Sequence, residues 1–361
     1  MILTPQSQLL ERNIGMFEQG KWVIINPSDA YFLDQLKHLN ITVMHQYFDI
    51  FSESVRVVPS LTFDSRDIAK QGFEVSQKIG SHEHIFTPFL RGEKTHNHAL
   101  IFLPKAKSHF SMLLRMAAGL VGLGGQIHVV GENKGGIKSA AKLMQQFGAT
   151  QKVDSARHCS LITTQVEHAH LAFEPEAWLQ DDTYCLQDIE WPVVSMPGVF
   201  SHGELDKGTA LLLDKHDTHL SGTVLDFACG AGVIGSYLKK RYPHVNFHFS
   251  DVSALAIYCT ALTLAKNAQS ATLFAANGLQ GIEARVQHIV TNPPFHTGVK
   301  TDYTVTKRFI EDATKLLTQR GTLQMVANRF LPYPGLLSAH FSHVLTTAQT
   351  TQFSLYQAAL S

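Results

Sequence analysis

The chain has 361 residues, 44% hydrophobic and 17% charged, with 30 Lys+Arg against 30 Asp+Glu. That is ordinary globular composition, too long for one average domain, and its zero net charge excludes a global basic field. Contact with nucleic acid would have to come from a local patch or from shape. Cys159, Cys185, Cys229 and Cys259 form no CxxC pair, so a disulfide framework or cysteine zinc site is not expected, and a reducing cytoplasm suits them. No signal-peptide core or long apolar run is found, which predicts a soluble, cytoplasmic protein with no membrane partner. The pairs His82/His84, His96/His98 and His168/His170 would each share a strand face. Without HExxH or an acidic or cysteine third ligand, they give no metal site.

From 21 to about 63, short apolar runs alternate with polar stretches (Trp22-Val-Ile-Ile25, Ile41-Thr-Val-Met44). A buried strand is predicted over 98–103 and a helix over 108–123, with Met112, Leu113, Met116 and Leu120 on one face. A strand at 126–130, a glycine-containing turn and a helix at 137–147 make a βα unit, so this half is itself α/β. Lys134 and Lys138, beside Gly131, Gly135 and Gly136, suit a structural turn or a contact to nucleic-acid phosphate better than a nucleotide pocket. The acidic stretch 174–188 breaks the apolar pattern and divides the chain into domains 1–175 and 176–361, with an edge loose by about ten residues.

In the second half a turn begins at Pro197-Gly-Val-Phe-Ser201, and Leu205-Asp-Lys-Gly208 leads into a short helix over 209–213. Val224-Leu-Asp-Phe-Ala-Cys-Gly-Ala-Gly232 then runs a strand into a glycine turn, with a helix opening at about Val233. Gly230 and Gly232 admit close approach of backbone amides to a ligand. Read literally, Gly230-x-Gly232-x-x-Gly235 is a dinucleotide fingerprint, so a nicotinamide dehydrogenase must be considered. A carboxylate at the strand tip, Asp226, opposes a pyrophosphate and favours the cationic S-adenosyl-L-methionine. Asp251 ends the next strand, where an acid reaches a ribose diol unless it merely caps the helix that follows. The strand over 272–276 delivers Asn277 and Gly278, suited to an adenine edge. The last of these strands, over 288–291, stops at Asn292-Pro-Pro-Phe295, where the prolines set one rigid path out of the sheet. The Asn292 side-chain oxygen and Pro293 carbonyl make two acceptors for a planar amino group, and Phe295 offers a stacking face.

With these motifs the sequence resembles the class I methyltransferases, and within them the RsmC family of 16S rRNA guanine-N2 methyltransferases. Val129-Val-Gly-Glu-Asn-Lys134, Lys152-Val-Asp-Ser-Ala-Arg157, Pro197-Gly-Val-Phe-Ser201, Asn292-Pro-Pro-Phe-His296 and Ala327-Asn-Arg-Phe-Leu-Pro-Tyr-Pro334 carry the likeness over nearly the whole chain. The resemblance implies two tandem Rossmann-like domains: an N-terminal copy that is degenerate, without a cofactor site and serving RNA binding or support, and a seven-stranded catalytic sheet with an antiparallel last strand. It implies methyl transfer to one exocyclic guanine N2, position 1207 in the family's name, in the 30S subunit; separately from the resemblance, a monomer is expected. Phe200, Asp226, Ala228, Cys229, Gly230, Gly232, Asp251, Val252, Asn277, Gly278 and Asn292 would then hold the cofactor. Asn292, Pro293, Pro294 and Phe295 would hold the base, and Lys300, Arg329, Lys134 and Lys138 the RNA. Gly278-Leu-Gln280 and Val299-Lys-Thr-Asp-Tyr303 depart from the family pattern. A release-factor glutamine or adenine N6 methyltransferase uses the same amine corner, and a non-catalytic rRNA-binding assembly factor would keep the fold alone.

Overall fold

The computed structural model describes residues 3–56, 59–168, 172–217, 219–293 and 303–361. Pro294, Phe295, Lys300 and His170, named above, lie outside the described residues. The first half supplies β1 (Trp22–Ile25), β2 (Ile41–His45), β3 (Ser60–Asp64), β4 (Val75–Ile79), β5 (His82–Phe86), β6 (His98–Phe102), β7 (Gln126–Glu132), β8 (Thr150–Ala156) and β9 (Cys159–Gln165). The second supplies β10 (Gln180–Leu186), β11 (Ile189–Ser195), β12 (Thr223–Phe227), β13 (Asn246–Asp251), β14 (Thr272–Ala276), β15 (Val286–Thr291), β16 (Leu317–Asn328), β17 (His343–Gln349) and β18 (Phe353–Ala359).

Two compact units result: Met1–Val58 with Phe73–Leu179, and Pro59–Gly72 with Gln180–Ser361. The first holds an eight-stranded sheet in the order β4-β5-β2-β1-β6-β7-β9-β8, the second one in the order β17-β18-β16-β15-β12-β13-β14-β3. Read from the same edge, the two orders correspond strand for strand. Five central strands are parallel, an antiparallel strand (β4 or β3) lies on one edge, and an antiparallel pair (β9-β8 or β18-β17) closes the other. Parallel strands buried on both faces read as continuous apolar runs, which is why β1 and β2 stand out in the sequence.

Two features differ from expectation. The second sheet has its own seven strands plus an eighth, β3, which comes from the first half of the chain and pairs antiparallel with β14. The helix Ser65–Gln71 follows β3, and the Ser65 and Ala271 backbones are tied by Ser65 N to Ala271 O at 3.0 Å and Ala271 N to Ser65 Oγ at 2.9 Å. The short alternation around Phe63 does not reveal which sheet it joins, because pairing depends on a partner some two hundred residues away. The acidic stretch, read as a break, holds the first strand and the turn of the hairpin β10–β11, whose turn residues Gln187 and Asp188 both have left-handed φ (49° and 61°).

The second unit's core lies under β12, β15 and β16, where Leu225, Phe227, Ile289, Phe309, Ile310, Met325 and Tyr356 are buried together. Phe227, at the end of β12, stacks on Phe309 with centroids 4.4 Å apart, which fixes the helix Tyr303–Leu316 against the sheet. The first unit has a separate core of Leu9, Phe17, Trp22, Phe32, Val43, Leu100, Val130 and Leu161. No helix among the described residues is long and apolar enough to cross a membrane.

Candidate active site

The carboxyl ends of β12, β13, β14 and β15 are neighbours in one sheet, so Asp226, Asp251, Asn277 and Asn292 meet along one edge of the second unit. Between β12 and the helix Val233–Arg241 the chain turns through Ala228, Gly230 and Gly232, all at positive φ (55°, 56° and 74°). Ala228 adopts this region despite its Cβ, which marks a locally strained bend. The bend is pinned from below: Cys229 N donates to Ser250 O at 3.1 Å, Gly232 N to Cys229 O at 2.8 Å, and Thr260 Oγ1 to Gly230 O at 3.0 Å.

Asp226 lies beneath this bend. Its side chain is wholly buried, Oδ2 accepts from Gly235 N at 2.7 Å, and Oδ1 has no hydrogen-bond partner among the described residues. The carboxylate expected to face a ligand at the strand tip instead turns inward, where it braces the first turn of the helix Val233–Arg241 from the core side. Gly235 makes this possible, since a Cβ there would stand 2.2 Å from the Phe249 ring and 2.9 Å from Asp226 Oδ2. Burial pushes Asp226 up to about 8; the Gly235 amide opposes the shift and the Asp251 charge adds to it. Burial also raises the Cys229 thiol, which leaves it an inert wall of the bend.

Asp251 is the acid that stays partly open. Its Oδ2 accepts from Gly230 N at 3.0 Å and its Oδ1 from Ser253 N at 2.9 Å, and burial raises its pKa. The cap of the helix Ala254–Lys266 is Ser253, whose Oγ accepts from Ala256 N, so capping does not consume Asp251. Val252 is half-buried beside it, and Asn277 stands exposed before Gly278, which has positive φ and open space where a Cβ would be. Phe200 is 62% exposed, and its Cβ is the nearest atom, at 3.9 Å, to where a Gly230 Cβ would stand. An exposed ring, bare glycine backbone and a carboxylate at a strand end fit a ligand with a ribose diol and a flat base.

Asn292 leaves β15 beside this group. Its Nδ2 donates to Asp206 Oδ2 at 2.8 Å and to Thr209 Oγ1 at 3.0 Å. Pro293 follows and is buried. The sequence marks Asn292 but not its two supports, which open the helix Lys207–Asp214 far upstream. Asp206-x-x-Thr209 reads as an ordinary helix start, and nothing in its spacing points to a residue 86 positions away.

Arg329 is exposed just beyond β16, its backbone N held by Gln352 O at 2.9 Å, and Phe330 next to it is 82% exposed. In the first unit, Lys134, Lys138 and Lys152 line a cleft of about 560 Å³ with Asn133, Thr150 and Ser155. The bend equivalent to 228–232 is there Asn26-Pro-Ser-Asp29. Asp29 is filled by its own chain, accepting from Thr4 N at 2.9 Å, Thr4 Oγ1 at 2.8 Å, and Tyr31 N and Phe32 N at 3.0 Å. Where β15 gives Asn292-Pro293, the corresponding β6 gives Leu103-Pro104. The paired histidines are spent locally: His82 on Leu36 O, His84 on His45, His96 on Thr42, and His98 on His128.

Residues 190–357 match the family model "Methyltransferase small domain", and residues 68–182 match "Methyltransferase small domain N-terminal". A ribosomal RNA small subunit methyltransferase C from Alteromonas mediterranea is 71% identical over 360 residues, covering 100% of both chains. One from Pseudoalteromonas atlantica is 41% identical over 98% of this chain and 99% of its own. Among solved structures, the Thermus thermophilus ("T. Thermophilus") 16S rRNA N2 G1207 methyltransferase in complex with AdoMet and guanosine matches with a TM-score of 0.80. It covers 99% of this chain and 92% of that one at 18% identity, a likeness of fold. Paired methyltransferase units, the glycine bend and whole-length identity to these relatives place the chain in the ribosomal RNA small subunit methyltransferase C family.

Proposed function

We propose that the protein is an S-adenosyl-L-methionine-dependent methyltransferase acting on the exocyclic N2 of one guanine in 16S rRNA, the G1207 named for the Thermus relative. The carrying observation is the fixed Asn292 amide beside the glycine bend, in a chain 71% identical end to end to a ribosomal RNA small subunit methyltransferase C. When bound, the cofactor supplies an electrophilic methyl group on a sulfonium, so no strong base is required. The backbone at Gly230 and Gly232 cradles its amino-acid end, with Phe200, Ala228 and Cys229 as walls. Asp251 and Val252 take the ribose, and Asn277 and Gly278 the adenine edge. Asp226 holds the bend in shape from inside. Asn292 Oδ1 and the Pro293 carbonyl would accept the two N–H groups of the guanine amine and orient its lone pair for transfer; Pro294 and Phe295, outside the described residues, are assigned to the base by the sequence motif alone. Positioning of this kind is worth several kcal/mol of barrier.

The target base must leave its stack to reach Asn292. In this reading residues 176–361, with the β3 segment, form the catalytic part. The rest of residues 1–175 binds RNA and supports it, through Lys134 and Lys138, and Arg329 of the catalytic part adds to the RNA contact together with Lys300, which lies outside the described residues. The substrate is the 30S particle, the enzyme works as a monomer, and its place is the cytoplasm, which four free cysteines support. The test is radiolabelled transfer to unmethylated small subunits, followed by mass-spectrometric mapping of the modified nucleotide. One N2-methylguanine in 16S rRNA is expected. Label in protein or in DNA instead would establish a different amine target, and RNA binding without turnover would make the chain an assembly factor.

A further inference from the structure

An asparagine amide has two ends of nearly equal shape and opposite hydrogen-bonding sense. If Asn292 is to accept from an amine, something must decide that its oxygen, and not its nitrogen, faces the substrate. Asp206 Oδ2, 2.8 Å from Asn292 Nδ2, is an acceptor with no proton to give when ionised, and Thr209 Oγ1 takes the second N–H at 3.0 Å. Both donors of the amide are then spent. A flipped amide would set its oxygen against the carboxylate, acceptor against acceptor, so the pair enforces one orientation.

The carboxylate is itself held. Asp206 caps the helix Lys207–Asp214, with Oδ2 accepting from Thr209 N at 2.8 Å. Gly208 leaves room for it: a Cβ there would lie 3.0 Å from Asp206 Oδ2 and 3.2 Å from the Phe353 ring. One oxygen therefore ties a helix start to the end of β15.

We propose that Asp206, assisted by Thr209, is a positioning residue that fixes the Asn292 amide with Oδ1 toward the target amine. It makes the corner selective for a two-donor amino group over a ring acceptor. This rests on the reading of Asn292 as the holder of the amine. Substitutions in the full-length protein separate capping from reach. Asp206→Ser keeps a good helix cap but is too short to touch Asn292, whereas Asp206→Asn keeps an acceptor at the same reach. With unmethylated small ribosomal subunits and labelled S-adenosyl-L-methionine, Asp206→Ser lowers kcat about tenfold or more, as expected for losing a charge-assisted contact at a reacting group. Cofactor affinity by equilibrium dialysis and Tm stay near wild type, and Asp206→Asn recovers most of the lost turnover. Thr209→Val, which leaves the backbone cap intact, lowers kcat about threefold to fivefold and serves if Asp206→Ser does not fold. Asp206→Ser or Thr209→Val with wild-type kcat, or a cofactor affinity that falls as far as kcat, overturns the positioning role. Asn292→Ala is the reference: its loss of turnover beside unimpaired Asp206→Ser removes the positioning alone, while wild-type turnover in Asn292→Ala removes the amine-holding reading as well.

Discussion

Gly235 and Asp226 carry the chemistry of the bend at the scale of single atoms. The third glycine of the motif exists for packing: a methyl group at 235 would enter the Phe249 ring and press on Asp226. Gly235→Ala is expected to destabilise the second unit by about 3 kcal/mol, the upper range for overpacking, and to weaken cofactor binding. Thermal unfolding and dialysis check this, and an unaltered Tm would refute the packing account. Asp226 makes a pH prediction. Its folded carboxyl titrates at about 8, whereas an unfolded one titrates near 4. Between those values the folded state keeps a proton that the unfolded state has lost, so this contribution to stability is full at low pH and disappears as pH rises toward 8. The Tm of the second unit should therefore fall more steeply from pH 5 to 8 in wild type than in Asp226→Asn. Parallel slopes would contradict a buried, raised carboxyl.

Among the elements, β3 is the one whose position in the fold matters most. It covers the open edge of β14, and its flanks are fastened by Ser65 to Ala271 and by Ser60 Oγ to Gly281 O at 2.9 Å. An uncovered edge strand invites pairing with other chains. A fragment beginning at residue 180 should thus aggregate, and fusing Pro59–Gly72 to its N-terminus through a flexible linker should raise Tm and suppress aggregation. Light scattering and calorimetry decide between the two, and equal behaviour of both fragments would mean that β3 is dispensable. The elements legible in sequence were those with local signatures. The strand over 272–276 is reproduced to the residue, and the helix opening at Val233 begins directly after Gly232. The hairpin β10–β11 was hidden because Asp181, Asp182 and Asp188 mask an alternating strand pattern, and β3 because its partner is remote.

Over the whole molecule, the two sheets share one plan but not one chemistry. The first unit has Asn26-Pro-Ser-Asp29 and Leu103-Pro104 where the second has its glycine bend and Asn292-Pro293, and it buries histidines on other strands and on the helix Lys107–Val121. Burial holds His84, His96 and His109 at about 4 and His128 at about 3, and drives His45 well down. Unfolded histidine titrates near 6.5, so below that pH the unfolded chain binds protons that the folded unit refuses, and stability drops as pH falls from about 6.5 to 4. Hydrogen exchange read peptide by peptide should show β2, β6 and β7 losing protection between pH 7 and 5. Equal protection at both pH values would mean that the histidines titrate freely.

The sequence by itself determined the repeated βα organisation, the glycine bend and the Asn292-Pro293 corner, because strand runs, positive-φ turns and proline stops are written in adjacent residues. The tertiary structure alone decided that Asp226 points inward, that a strand from the first half completes the second sheet, and that Asp206 grips Asn292. Each of these depends on groups far apart in the chain meeting at hydrogen-bond distance, and local sequence pattern does not encode which distant partner a side chain will find.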